Sequence, residues 1–284
     1  MNESPVFIVG CRRSGTTLML NTLNRNSKVG LFPGETHFFD RVLDEIEVFD
    51  ESNKDVIVDV LDEKSWIADV PGKDQLELDA VVDQVFADLE YTVSGKEFFK
   101  SFLMEVAKSD GSQVWGGKTP THVYYVDEMK GWYPDARVIQ IIRDPRAVVA
   151  SHIYRLMKRK HSDFDPYFGY LSHGLPHIIY RWRKSTRLSF EYANRYPDDF
   201  MMIKFEDLLD NPKVYLRNVC DFLRIPFEEE MLKLSVYHSS FETKGRKGFD
   251  LSAKYSWKRK NPWWANRLVE LMCNDYMQRL NYTL

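Results

Sequence analysis

An α/β fold is what this sequence predicts: a P-loop-like, doubly wound, mostly parallel sheet flanked by helices and carrying a helical insert. Two strand–loop–helix units point to it. Val6-Phe7-Ile8-Val9 is a short, continuously apolar run that passes through Gly10–Thr17 into a helical pattern from Leu18 to Leu23. Arg137-Val138-Ile139-Gln140-Ile141-Ile142 is β-branched and apolar, runs into Arg143-Asp144-Pro145-Arg146, and leads to a helix expected over 147–160. Continuous rather than alternating apolar strands belong to parallel sheets covered on both faces. Strands alternating with helices wind such sheets, and ligands bind beyond the strands' carboxyl ends.

The other elements follow along the chain. Residues 40–63 hold ten acidic side chains against two basic ones, which suits helices and loops outside the sheet. After the Pro71-Gly72 turn, Leu76, Leu78, Val81, Val82, Val85, Phe86 and Leu89 fall on one helical face, with Asp79, Asp83 and Asp88 left for solvent. Residues 40–112 are therefore expected to form a helical insert or acceptor-side cap within a single 1–284 domain. Val114-Trp115 precedes the loop Gly116–His122, and a helix is expected over 123–131. A helix over 174–196, a strand over 200–205 and a helix opened by Asn211-Pro212 come next. Residues 244–260 carry seven Lys or Arg and one acidic residue, Asp250, and Leu268, Val269, Leu271 and Met272 belong to a terminal helix.

Composition narrows the function classes. The 284 residues are 44% hydrophobic and 14% aromatic, enough for a real core and incompatible with a wholly disordered chain. With 39 basic and 42 acidic side chains the formal charge is -3, so the molecule lacks the electropositive signature of a nucleic-acid binder, and no nucleic-acid partner is expected. A concentrated anion site is still compatible with that sum. The apolar runs are strand-sized, so no membrane span is expected, and a soluble, cytoplasmic protein is the expectation. Cys11, Cys220 and Cys273 form no CxxC pair, and the histidines no HExxH, so no metal site is expected and a reducing compartment fits.

The chemistry concentrates in the loops. Gly10 and Gly15 have the separation of the nucleotide-binding pattern GxxxxGK[ST], and Thr17 supplies its hydroxyl, but Thr16 stands where the lysine belongs. Arg13 can supply the missing charge. A loop entering a helix N-terminus offers unpaired backbone N–H groups to a phosphate or sulfate. The second strand ends in Arg143 where an ATPase needs a magnesium-binding carboxylate, so this strand end suits an anion, which a guanidinium grips with its fork of donors.

Arg13-Ser14-Gly15-Thr16-Thr17, Gly34-Glu35-Thr36, Arg143-Asp144-Pro145-Arg146 continuing to Ser151, and Lys204-Phe205-Glu206-Asp207-Leu208-Leu209 resemble, in order and over most of the chain, the sulfotransferases that use 3'-phosphoadenosine 5'-phosphosulfate. The resemblance implies that donor as cofactor and adenosine 3',5'-bisphosphate as product. It implies that Arg12, Arg13, Ser14, Gly15, Thr16 and Thr17 surround the 5'-phosphosulfate, with Arg13 where many cytosolic members have lysine. Arg143 and Ser151 match the pair that binds the 3'-phosphate, and Arg146 is a second candidate. The family's late Arg-Lys-Gly element appears at Arg246, Lys247 and Gly248. Glu35 matches the glutamate base of the glycan- and tyrosine-sulfating members, with His37 as the alternate. Lys118, in a Gly-Gly-Lys-Thr-Pro loop, matches a lysine that stabilises charge on the leaving side, and His122 is a further polar candidate.

Glu35 can take the acceptor proton directly if the pocket raises its pKa and brings it within hydrogen-bond reach of the acceptor hydroxyl. The function implied is sulfuryl transfer to a hydroxyl, ahead of an amine, on a small-molecule or glycan acceptor, ahead of a protein tyrosine. A homo-oligomer is left open. An ATP-dependent small-molecule kinase and a noncatalytic nucleotide-binding protein are the competing readings. Convergence of Glu35 and Lys118 in space argues against the second of these.

Overall fold

The computed structural model describes residues 4–64, 77–89, 91–109, 111–159, 174–234 and 249–282. Its centre is a five-stranded, wholly parallel sheet built from β1 (Val6–Gly10), β2 (Val29–Leu31), β3 (Val114–Lys118), β4 (Arg137–Ile142) and β5 (Phe200–Lys204) in the order β2-β3-β1-β4-β5. From β1 the chain leaves toward β2, and from β4 toward β5, so the connections part at the neighbouring strands β1 and β4. A crevice opens at such a switch point, outside the carboxyl ends.

Both sheet faces are covered, which is why β1 and β4 read as unbroken apolar runs. Side chains alternate in direction along a strand: Phe7 and Val9 join one core, and Val6 and Ile8 another. On the first face lie the helices Lys54–Lys64, Leu78–Asp88 and Gly95–Ser109. Phe99 stacks on Phe7 with centroids 6.2 Å apart and on Phe38 at 4.2 Å. The expected apolar face of Leu78, Val81, Val82 and Val85 is buried in this same core, so these helices pack onto the sheet as well as facing solvent. On the second face, the helices Thr16–Leu23 and Pro212–Leu223 contribute Met19, Leu20, Leu216 and Val219. A third cluster joins Pro145–Arg159, Leu175–Arg195 and Trp263–Arg279 through Val149, Ile179, Trp182, Val269 and Cys273.

The structure corrects the sequence reading at one strand. β3 does not stop at Trp115 but continues through Gly116-Gly117, so Lys118 is the last residue of a central strand rather than part of a loop, paired with Ile8 of β1. Gly116 makes this possible: a Cβ there would collide with the Val6 carbonyl, so the close approach of β1 and β3 needs glycine. Past β4, the backbone N–H of Asp144 donates to Glu206 at 3.0 Å, and the Tyr282 hydroxyl donates to the same carboxylate at 2.8 Å, fixing the turn that carries Arg143. Among the described residues no helix is long and apolar enough to cross a membrane.

Candidate active site

The carboxyl ends of β3, β1 and β4 deliver Lys118, the Gly10–Thr17 loop and Arg143 to one edge of the sheet. In the loop, Gly15 takes the left-handed φ of 101° just before the Thr16–Leu23 helix, and a Cβ there would strike the Phe205 ring. The helix N-terminus carries no side-chain cap. Arg13 also has a positive φ, 74°, as does His37 at 49°. Such backbone costs free energy in a non-glycine residue and concentrates at functional sites.

Arg13 ties the loop to both predicted phosphate residues. Its Nε donates to Ser151 Oγ at 3.0 Å, and its carbonyl accepts from Arg143 at 3.2 Å. The Arg143 guanidinium also donates to the Ala253 carbonyl at 2.8 Å and lies 4.3 Å from the Phe205 ring centre. Three buried polar atoms here have no hydrogen-bond partner: Arg12 Nε, Ser14 Oγ and Arg143 Nε. Orphans of this kind are uncommon in folded proteins, because the lost hydration goes unreplaced.

Beside the loop, Lys118 Nζ donates to Glu35 Oε1 at 2.6 Å. The second carboxylate oxygen lies 3.2 Å from His37 Nε2 and 4.0 Å from Arg12. His37 Nδ1 sits 3.1 Å from Asp40 Oδ2, the oxygen that also accepts from Thr121 Oγ1 at 2.6 Å. A chain of polar groups therefore runs Lys118–Glu35–His37–Asp40–Thr121. The His37 backbone N–H donates to Thr119 Oγ1 at 3.4 Å, fastening the Glu35 turn to the segment after β3.

One condition for the base role is not met in this arrangement. Burial alone would raise the Glu35 carboxyl, but Lys118, the hydrogen bonds from His37 and Lys118, and the charge of Arg12 outweigh it and hold Glu35 well below the usual carboxylate range. These neighbours thus lower the pKa that a base needs raised. His37 moves the other way: burial disfavours its charge, yet Asp40 and Glu35 raise it above its ordinary value. Burial lowers the Lys118 ammonium, against the pull of Glu35.

Other candidates separate clearly. Arg146 is held by Asp144 at 2.7 Å and Glu270 at 3.0 Å and stacks on Trp257. His122 is buried, accepts the Phe39 backbone N–H at 3.4 Å, and is pushed down to about 4, first by burial. Both read as scaffold. Arg246, Lys247 and Gly248 lie outside the described residues. Asp40 and Thr121 were missed by sequence reasoning, which counted Asp40 with the solvated acidic stretch. The usable signal was its place three residues after His37.

Among known proteins, the family model described as "Sulfotransferase family" matches residues 5–229. A putative protein-tyrosine sulfotransferase of Caenorhabditis briggsae is 23% identical over 232 residues, covering 81% of this chain and 69% of its own. A protein of the same description from Caenorhabditis elegans is 28% identical over 116 residues, 41% of this chain and 42% of its own. The chain spans between 42% and 69% of the length of these and two further protein-tyrosine sulfotransferases it matches. Among solved structures, the sulfotransferase domain from the curacin biosynthetic pathway is similar with a TM-score of 0.63 at 20% identity, covering 99% of this chain and 98% of that one. The sulfotransferase domain of the Synechococcus PCC 7002 olefin synthase gives 0.59 at 19% identity, covering 100% and 97%. At these identities the structural likeness speaks for the fold.

Proposed function

The chain belongs to the sulfotransferase family, and from that premise we propose that it transfers a sulfuryl group from 3'-phosphoadenosine 5'-phosphosulfate to a hydroxyl of an organic acceptor. The observation that carries this reading is the meeting of Glu35 and Lys118 at 2.6 Å, beside an uncapped helix N-terminus. A carboxylate and an ammonium so placed are a proton acceptor and a charge stabiliser in one pocket.

The residues present fit the donor. Ser14 Oγ, Arg12 Nε and Arg143 Nε are buried donors without partners, on the two loops that flank the switch point. Arg12, Arg13, Ser14, Gly15, Thr16 and Thr17 would hold the phosphosulfate end, and Arg143 with Ser151 the 3'-phosphate. When bound, the donor supplies an activated sulfuryl group on a nucleotide leaving group, adenosine 3',5'-bisphosphate.

Lys118 and Arg12 are the cations that keep Glu35 weakly basic. An anionic ligand that drew Lys118 and Arg12 to itself would loosen their hold on Glu35 and leave the carboxylate able to take the acceptor's proton. Lys118 would then stabilise the charge that grows on the leaving side. His37, anchored through Nδ1 on Asp40, keeps Nε2 on Glu35 and is the alternate base. The described part of the segment 40–112, which begins at Asp40 directly after the Glu35–His37 turn, is assigned to the acceptor side. Buried, free Cys11, Cys220 and Cys273 suit a cytoplasmic setting.

Calorimetry with adenosine 3',5'-bisphosphate and with ATP, each with and without magnesium, tests the donor. Tight, metal-independent binding of the bisphosphate is expected. Preferential, magnesium-dependent binding of ATP would overturn the reading in favour of a kinase, and bisphosphate binding without transfer across an acceptor panel would leave a noncatalytic binder.

A further inference from the structure

We propose that the acceptor is an anion: a hydroxyl compound carrying a carboxylate or sulfate that seats on Arg181 and Lys184. This rests on the reading of sulfuryl transfer to a hydroxyl and names the class of molecule that bears it.

The helix Leu175–Arg195 lies along the site. Trp182 Nε1 donates to the Arg143 carbonyl at the end of β4 at 2.8 Å. One residue earlier, the Arg181 carbonyl accepts from the Tyr124 hydroxyl at 3.4 Å, and Lys184 Nζ lies 4.7 Å from the centre of the Tyr124 ring. A single helical turn thus runs from the β4 end to the segment that follows Lys118. Arg12 reaches toward the same region from the first loop, 3.2 Å from His37.

The pairing pattern along this helix singles out two of its basic side chains. Arg183 is paired with Asp275, Arg187 with Glu191 and Arg195 with Asp127. Among the described residues Arg181 and Lys184, both half-buried, have no carboxylate partner. The helix therefore neutralises Arg183, Arg187 and Arg195 and leaves Arg181 and Lys184, on the turn that meets Tyr124, without a counter-charge. His152 reports the same crowding: burial first, then Arg13, Arg181, Arg12 and Arg155, push it down to about 4, so it adds no positive charge. Half-buried cations without counter-charge are costly, and an anionic ligand relieves that cost through charge-assisted hydrogen bonds. The phosphates of the donor are assigned to the first loop, Arg143 and Ser151. Arg181 and Lys184 remain for the acceptor, with the half-buried Tyr124 ring as an apolar floor.

The test uses matched probes on the chain saturated with adenosine 3',5'-bisphosphate: 4-hydroxyphenylacetate against its methyl ester, and phenyl β-D-glucuronide against phenyl β-D-glucoside. Calorimetry should show the charged member of a pair binding about tenfold tighter or more. The preference should vanish in the double variant Arg181→Gln, Lys184→Gln, with bisphosphate affinity unchanged. The pair that responds tells an aromatic acid from a uronic acid. Equal binding within both pairs, or a preference that survives the double substitution, overturns the inference while leaving sulfuryl transfer intact. Failure of the bisphosphate itself to bind is a distinct result that removes the donor reading and this inference with it.

Discussion

Glu35 shows how neighbours rather than burial set the proton affinity of a carboxylate: a buried acid ought to be weak, and one with Lys118 at 2.6 Å is strong. Replacing Lys118 with Met should lower kcat by about 100-fold or more, with the affinity for adenosine 3',5'-bisphosphate nearly unchanged; equal losses in both would remove its role in the transfer step. Asp40 gives a stability readout. Burial works against its charge, but His37, His122 and Thr121 hold it at about 2 against an ordinary 3.8. Because the folded pKa is depressed, its contribution is present above pH 3.8 and is lost as pH falls toward 2. It amounts to about 2 kcal/mol. Urea unfolding at pH 6 and pH 2.5 should show a loss of stability larger in the wild type than in Asp40→Asn by about 1–2 kcal/mol. Glu35 and Lys118 were legible separately, each through the motif it stands in, while their meeting at 2.6 Å was not. Asp40 was not, since composition cannot tell an inward-turned carboxylate from the exposed Asp44, Glu45 and Glu47 that follow it.

At the scale of elements, the loop conformation is the vulnerable point. Gly15→Ala places a Cβ at a left-handed φ and into the Phe205 ring, which should destabilise the chain by about 1–3 kcal/mol and weaken bisphosphate binding. A denaturant midpoint equal to wild type would show that the loop relaxes freely. β1 and β4 were readable because both of their faces are buried, which leaves a continuous apolar signature. β2 has only three residues with Gly30 at its centre, too short for any periodicity. β3 hid its second half behind two glycines that look like a turn until the neighbouring backbone of β1 is known. Gly95–Ser109 escaped notice as a separate helix, although it supplies Phe98, Phe99 and Phe102 to the main core. Its identity depended on which rings it would meet across the sheet.

Over the whole molecule, the formal charge of -3 hides a separation. The acidic stretch exposes Asp44, Glu45, Glu47, Glu51, Asp55 and Asp59, whereas Arg13, Lys118 and Arg143 gather at the carboxyl ends of the parallel strands. The topology enforces this, because three adjacent strands running the same way must end on the same edge. An anionic nucleotide approaching from solvent would meet repulsion over that acidic stretch and attraction at the basic strand ends. That field acts on the encounter before any contact forms. Raising ionic strength from about 0.05 to 0.3 M shortens the Debye length from roughly 14 to 6 Å, and stopped-flow association of adenosine 3',5'-bisphosphate should slow accordingly while dissociation changes far less. A parallel sheet with basic strand ends would thus also be a means of capture, drawing an anionic ligand in from a distance and turning it to arrive with its phosphates first.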